Sequence, residues 1–83
     1  MKLKVMVTGG LCFIGSEFVS LLTREFVKDD YEIIVVDKMT YAANRDFLKV
    51  IKKIPKIKFI KKDINHLKTL YGCRIIYNFA AES

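Results

Sequence analysis

Residues that commonly form cross-links or metal sites are scarce in this 83-residue chain, which has two cysteines, one histidine, one proline and no tryptophan. Cys12 and Cys73 give no disulfide framework, so a reducing, cytoplasmic environment is expected. His66 has no serine–histidine–aspartate or metal-ligand spacing around it. It is therefore interpreted as a turn or surface residue, and no metal site is predicted.

Long hydrophobic runs are also missing. The apolar stretch that follows Lys4 is broken by Thr8 and two glycines, which argues against a signal peptide and leaves nothing near the length of a membrane span. Hydrophobic residues still make up 52% of the chain, which is enough for a packed core. The length suits one small domain or part of a larger one.

Acidic residues are absent between Asp46 and Asp63, and the formal net charge is +6. The lysines in that stretch are Lys49, Lys52, Lys53, Lys56, Lys58, Lys61 and Lys62. Such a patch could attract nucleic acid, an anionic surface or a phosphorylated ligand. Because no aromatic ladder or recognition motif accompanies the lysines, a solvated helix face and a protected edge strand are the favoured interpretation, and nucleic acid ranks last as a partner.

Glycines cluster at Gly9, Gly10 and Gly15, between an apolar run and an amphipathic segment. A strand, a glycine turn and a helix start are typical of the phosphate-binding corner of a dinucleotide-binding βαβ unit. The first N–H groups of such a helix favour a diphosphate. Cys12 stands where this motif has a glycine, so its side chain is expected to crowd the phosphate or force a different turn. Two further interpretations are an inert substitution, which is favoured, and a reactive thiol at a helix amino terminus.

The spacing of apolar residues predicts alternating strands and helices. The strands are 3–8, 32–37, 57–61 and 74–80, and the helical segments are 13–28, a helix capped by Asn44 and stopped by Pro55, and a short helix or turn at 65–71. Right-handed crossovers place the strands of a parallel sheet in the order 3-2-1-4. We therefore predict an α/β class, a partial Rossmann fold with flanking helices, in which residues 1–83 form the amino-terminal part of one dinucleotide-binding domain cut after Ser83.

The fourth predicted strand forms a second edge of this sheet and carries no lysine or proline to discourage pairing. A bare apolar edge is a template for association with another strand. We therefore expect the chain to self-associate through this strand. We do not expect it to bind a membrane.

Asp37 ends the second predicted strand, 22 residues after Gly15. A carboxylate at this place can accept hydrogen bonds from both adenosine ribose hydroxyls and repels a 2′-phosphate. This favours NAD over its phosphorylated form, although Lys38 beside it weakens the preference. The alternative is an ordinary strand-end turn residue.

Four segments occur in an order that points to a known family: Thr-Gly-Gly-Leu-Cys-Phe-Ile-Gly-Ser at 8–16, Asp-Lys-Met-Thr-Tyr-Ala-Ala-Asn at 37–44, Lys-Asp-Ile at 62–64 and Asn-Phe-Ala-Ala-Glu-Ser at 78–83. Together they resemble the amino-terminal part of the dTDP-glucose 4,6-dehydratase family, which are extended short-chain dehydrogenases/reductases. In this family NAD takes a hydride from sugar carbon 4, water is eliminated across carbons 5 and 6, and the hydride returns to carbon 6.

The resemblance implies that a set of residues lines the NAD site. They are Gly9, Phe13, Ile14 and Gly15 at the diphosphate, Asp37, Lys38, Met39 and Thr40 at the adenosine ribose, Asp63 and Ile64 at the adenine, and Ala80, Ala81 and Glu82 beneath the diphosphate and nicotinamide ribose, with Ser83 near the sugar nucleotide.

The catalytic Tyr-x-x-x-Lys pair of that family is absent, because no tyrosine of the chain has a lysine four residues after it. The chain is thus expected to hold part of NAD without performing the chemistry, and to meet a nucleotide-sugar substrate only in a complete enzyme. Two alternatives remain open: a non-enzymatic interaction module that pairs through its fourth strand, and an anion or nucleic-acid binder that uses the lysines.

Overall fold

The computed structural model describes residues 3–11, 13–25, 31–39, 45–69 and 71–79. Its elements are β1 Leu3–Thr8, α1 Phe13–Glu25, β2 Tyr31–Asp37, α2 Arg45–Ile51, β3 Ile57–Lys61, a 3₁₀ turn Ile64–His66 and β4 Ile75–Asn78. Several predictions concern residues outside the described ranges: Cys12, the helix end at 26–28, Thr40, the helix cap Asn44 and residues 80–83.

The four strands form one parallel sheet in the order β3-β2-β1-β4. The predicted fold class and strand order are therefore confirmed. Val7 at the centre of β1 lies opposite Val35 on β2 and Tyr77 on β4. Because the strands are parallel, their carboxyl ends meet at one edge of the sheet, and this edge contains the glycine turn.

Both faces of the two central strands are buried, as their unbroken apolar runs require. The face that carries Val5, Val7 and Val35 packs against α1 through Val19. The opposite face carries a smaller cluster of Met6, Ile34, Val36 and Cys73. No helix in the described part of the chain is long and apolar enough to cross a membrane.

The predicted helix or short turn at 65–71 is a 3₁₀ turn of three residues that begins one residue earlier. Asp63 caps this turn, because its Oδ1 accepts a hydrogen bond from the Asn65 amide at 2.9 Å. The backbone is extended again at Leu67. Leu67 and Tyr71 pack against the Met6 cluster, so burial of these side chains holds the segment along the sheet in place of a helix.

Two other elements end earlier than predicted. α2 ends at Ile51, four residues before Pro55. The chain then forms a tight turn, in which the Ile54 amide donates to the Ile51 carbonyl at 3.0 Å. β4 is confined to Ile75–Asn78, within the predicted 74–80. The Phe79 amide still donates to the Thr8 carbonyl at 2.8 Å, so the ladder with β1 extends to the strand's end.

Candidate functional site

A tight glycine turn follows β1 at the carboxyl edge of the sheet. Gly9 has φ of 70°, a left-handed conformation that glycine adopts without steric cost. Its N–H donates to the Val36 carbonyl at 2.7 Å, which ties the turn to β2. A side chain on Gly10 would place its Cβ 2.5 Å from the buried Val35 Cγ1. The turn therefore lies directly against the sheet.

Gly15 sets the distance between α1 and that turn. A Cβ at Gly15 would overlap the backbone carbonyl oxygen of Gly9 and lie 3.0 Å from the Gly10 Cα. The first turn of α1, with Phe13 and Ile14 at its first two positions, therefore starts beside the end of β1. Ile14 is 64% exposed. The positive end of the helix dipole thus lies at this edge, where an anionic group is stabilised.

Asp37, the last residue of β2, connects the glycine turn to the loop that follows. Its Oδ2 accepts a hydrogen bond from the Leu11 amide at 3.1 Å, and its Oδ1 accepts one from the Met39 amide at 2.8 Å. Each carboxylate oxygen has two lone pairs and so keeps acceptor capacity for a ligand hydroxyl. The carboxylate is thus fixed in position by two backbone donors.

The loop after Asp37 is constrained by an unusual backbone conformation. Met39 has φ of 64°, an unusual conformation for a residue with a long side chain. Its hydrogen bond to Asp37 and its packing against the main core hold that conformation. Lys38 is exposed beside them. A strained residue next to a candidate ligand-binding carboxylate is a common feature of functional sites.

The end of β4 meets the end of β1 through side chains. The buried Thr8 hydroxyl donates to Asn78 Oδ1 at 2.6 Å. This bond fixes the last residue of β4 next to the glycine turn. The predicted site residues 80–83 follow immediately in sequence but lie outside the described residues.

Asp63 and Ile64 lie just beyond β3, the next strand along this edge. The Lys62 amide donates to the Asp37 carbonyl at 3.0 Å, so the two strand ends are joined. Both Asp63 and Ile64 are half-buried. One oxygen of Asp63 already caps the 3₁₀ turn, which leaves its other oxygen as the acceptor for a ligand.

Charged groups at the opposite end of the sheet form a separate cleft of about 500 Å³, lined in part by Lys4, Glu32 and Lys58. Lys58 Nζ lies 3.6 Å from the buried Glu32 carboxylate. Burial raises the pKa of the nearby Cys73 thiol, Lys4 lowers it and Glu32 raises it. Cys73 is therefore a protonated core residue at neutral pH.

The lysine stretch is partly engaged within the molecule. Besides the Lys58 ion pair, Lys56 Nζ lies 4.8 Å from the centroid of the Tyr31 ring. Both contacts agree with a structural role for these two lysines. Among the described residues, no cluster of histidine, cysteine and acidic side chains could hold a metal ion.

The structure places all of the predicted site residues that lie within the described ranges at one edge of the sheet: Gly9, Phe13, Ile14, Gly15, Asp37, Lys38, Met39, Asp63 and Ile64. Sequence reasoning missed the Thr8–Asn78 bond, although the predicted strand order already placed both residues at neighbouring strand ends. It also missed the Leu11 amide, for which no side-chain pattern provides a signal.

Solved structures have a similar fold. The NAD complex of dTDP-glucose 4,6-dehydratase from Bacillus anthracis aligns with a TM-score of 0.85 and 35% identity, over 96% of this chain and 27% of that one. The Streptomyces venezuelae enzyme with NAD bound gives 0.81 and 38%, over 98% of this chain and 27% of that one. The chain is a homologue of dTDP-glucose 4,6-dehydratases. The match is consistent with their amino-terminal segment.

Curated dehydratases extend the comparison. The dTDP-glucose 4,6-dehydratase of Haemophilus influenzae is 34% identical, over 98% of this chain and 25% of that protein. A trifunctional UDP-glucose 4,6-dehydratase/epimerase/reductase of Arabidopsis thaliana is 36% identical over 95% of this chain. No protein-family model matches. The chain spans 12% of the plant protein and about a quarter of the bacterial dehydratases.

Proposed function

We propose that this chain is the NAD-binding portion of a nucleotide-sugar 4,6-dehydratase, with residues 1–83 forming the amino-terminal part of its Rossmann domain. The observation that carries the proposal is the Asp37 carboxylate, held by the Leu11 and Met39 amides beside the glycine turn. That geometry suits an adenosine ribose next to a diphosphate. The NAD complexes of the structural homologues support the same cofactor.

Different residues at this edge would bind different parts of NAD. The Phe13 and Ile14 amides and the dipole of α1 would hold the diphosphate, and Gly9 and Gly15 allow its close approach. Asp37 would accept hydrogen bonds from the ribose hydroxyls, with Lys38, Met39 and Thr40 around it. Asp63 and Ile64 would meet the adenine. Ala80, Ala81 and Glu82 would lie beneath the diphosphate and nicotinamide ribose.

The chemistry of a dehydratase would require further residues. NAD, when bound, supplies a hydride acceptor, but the chain has no Tyr-x-x-x-Lys pair to move the accompanying proton. In this proposal Ser83 approaches a dTDP-sugar only when the rest of an enzyme is present.

The two-cysteine composition supports a reducing, cytoplasmic location.

Titration calorimetry with NAD and with its 2′-phosphorylated form tests the proposal. We expect weak binding that favours NAD, because the Asp37 charge repels a 2′-phosphate. Asp37→Asn should weaken NAD binding roughly tenfold or more, as expected for a lost hydrogen bond to a charged group. The same substitution should reduce the ratio of the affinity for NAD to the affinity for its 2′-phosphorylated form. Asp46→Asn, which removes the same charge from the exposed start of α2, is the matched control.

The same titration tests the glycine turn. Cys12→Gly should bind NAD more tightly, since glycine removes a Cβ from the expected path of the diphosphate. Unchanged affinity would show that Cys12 does not crowd the phosphate. Tighter binding of the 2′-phosphorylated cofactor by the parent chain would overturn the role given to Asp37.

We also propose that the chain self-associates through β4. Ile75, Ile76 and Tyr77 are 38%, 43% and 38% exposed on this edge strand, and four consecutive uncharged residues form it. Exposed apolar edges pair readily with other strands. A non-enzymatic interaction module remains the second candidate function on this ground.

A further inference from the structure

A buried carboxylate lies in the cleft at the amino end of the sheet, opposite the edge that carries the glycine turn. The cleft holds about 500 Å³ and is lined in part by Glu32, the second residue of β2. The Glu32 side chain is only 9% exposed. Its Oε1 is buried and has no hydrogen-bond partner among the described residues. Because buried polar atoms nearly always have such a partner, this oxygen is a candidate acceptor for a bound molecule.

Two lysines line the same cleft. Lys4 lies opposite Glu32 in the register of β1 and β2, and Lys58 Nζ lies 3.6 Å from Glu32 Oε2. That distance exceeds the roughly 2.7–2.9 Å of a charge-assisted hydrogen bond. Lys58 is also exposed, so its ammonium group can turn toward a ligand. The charged side chains that line the cleft thus carry two positive charges and one negative charge.

The turn that precedes β4 forms another wall of the cleft. Tyr71 and Gly72 are consecutive left-handed residues, with φ of 52° and 79°. The Tyr71 carbonyl accepts a hydrogen bond from Lys4 Nζ at 3.5 Å. An ammonium group has three donors, so Lys4 keeps two for a ligand. The polar groups of the cleft belong to three neighbouring strands and this turn, and their arrangement therefore does not depend on the ends of the chain.

These groups favour a ligand that is an anion and also carries a proton. The two ammonium groups attract an anion, whereas the Glu32 carboxylate repels one unless a proton lies between them. Inorganic phosphate meets both requirements, because at neutral pH it keeps at least one P–OH group. Sulfate has the same tetrahedral shape but no such proton. A phosphate monoester, with a second pKa of about 6, has lost most of that proton at neutral pH.

We propose that this cleft binds inorganic hydrogen phosphate, with Lys4 and Lys58 donating to its oxygens and Glu32 Oε1 accepting from its P–OH group. The volume of about 500 Å³ leaves ample room, since one water molecule takes roughly 30 Å³ in the liquid. The site lies at the opposite end of the sheet from Asp37. It is therefore separate from the proposed NAD site and independent of it.

Titration of the chain with phosphate, followed by the NMR signals of the backbone amides, reports both the affinity and the place of binding. Phosphate should shift the amides of Lys4, Glu32 and Lys58 saturably. Its affinity should exceed that of sulfate or methyl phosphate about tenfold or more, as expected for a hydrogen bond to a charged group. Equal affinity for sulfate would overturn the proposal, as would the lack of a saturable shift. Shifts confined to Phe13 and Ile14 would also overturn it, because the anion would then lie at the start of α1.

Three variants separate this site from a general attraction between anions and lysines. Glu32→Gln should bind sulfate and phosphate within about twofold of each other, since a neutral amide no longer repels sulfate. Lys58→Gln, at an exposed position, should weaken phosphate binding roughly fivefold. Lys52→Gln removes the same charge from the exposed end of α2 and should change the affinity less than about twofold. Equal weakening by the two lysine variants would overturn the proposal, and this comparison holds even if the buried Glu32→Gln variant fails to fold.

Discussion

Gly15 controls how closely α1 approaches the end of β1. The position has no room for even one methyl group, because the obstacle is the backbone of Gly9 and Gly10 and cannot move as a side chain can. Gly72 presents the opposite case. It has φ of 79°, but the nearest atom to an added Cβ there is Lys4 Cδ at 3.6 Å, an ordinary contact.

The two glycines should therefore respond differently to alanine. Gly15→Ala should lower the free energy of unfolding by about 3 kcal/mol or more, since overpacking against backbone forces the helix away from the turn. Gly72→Ala should cost only about 1–2 kcal/mol, the penalty of the left-handed conformation. Urea denaturation of both variants measures the difference. Equal decreases in the free energy of unfolding would mean that α1 moves away from the turn without an energetic penalty.

Single residues of the site could be predicted where the motif fixes their chemistry. The glycines of the turn and Asp37 at the end of β2 lie where the motif places them, and the binding of a ribose by Asp37 stays a prediction. The left-handed Met39 could not be predicted, because its conformation comes from the bond to Asp37 and not from its own preference. The role of Leu11 depends on its amide, which every residue except proline possesses.

At the scale of elements, aromatic rings hold α1 against β4. The centroid of the Phe18 ring lies 4.5 Å from that of Tyr77 and 5.2 Å from that of Phe79, both in tilted arrangements. Such pairs stabilise a fold beyond the area that they bury. Phe18 therefore connects the helix that starts at the glycine turn with β4, the outermost of the described strands on that side.

Removal of this ring should loosen β4 selectively. Phe18→Ala is expected to lower the free energy of unfolding by about 2–3 kcal/mol, somewhat less than for a fully buried ring because Phe18 is half-buried. Leu21→Ala, at a position on α1 that is 44% exposed, should cost less than about 1 kcal/mol. Hydrogen exchange would show the β4 amides losing protection before those of β2. Uniform loss across the sheet would argue against a local anchor.

Strands were predicted more accurately than the segment between β3 and β4. Apolar runs and apolar–polar alternation both indicate a strand, so β1 and β3 match their predicted bounds and β2 begins one residue before its predicted start. The segment 65–71 has no comparable repeat, and its path depends on where Leu67 and Tyr71 find apolar surface. Contacts with residues distant in sequence therefore decide its conformation.

At the scale of the whole molecule, the chain should lack dehydratase turnover. Incubation with NAD and dTDP-glucose should give no 4-keto-6-deoxy sugar above a control without protein, because the proton-transferring tyrosine–lysine pair is absent from these 83 residues. The Haemophilus influenzae homologue serves as the positive control. Measurable product from the chain would contradict its assignment as a cofactor-binding portion only.

The position of β1 at the centre of the sheet has a consequence for biosynthesis. Thr8 and its partner Asn78 are 70 residues apart, so one side of β1 stays unpaired with β4 until those residues have been synthesised. At roughly 5–20 residues per second, that wait lasts about 4–14 seconds. During this time the nascent chain exposes an apolar strand edge that a chaperone can bind. The rate at which the codons between β1 and β4 are translated would then decide between productive folding and capture by a chaperone.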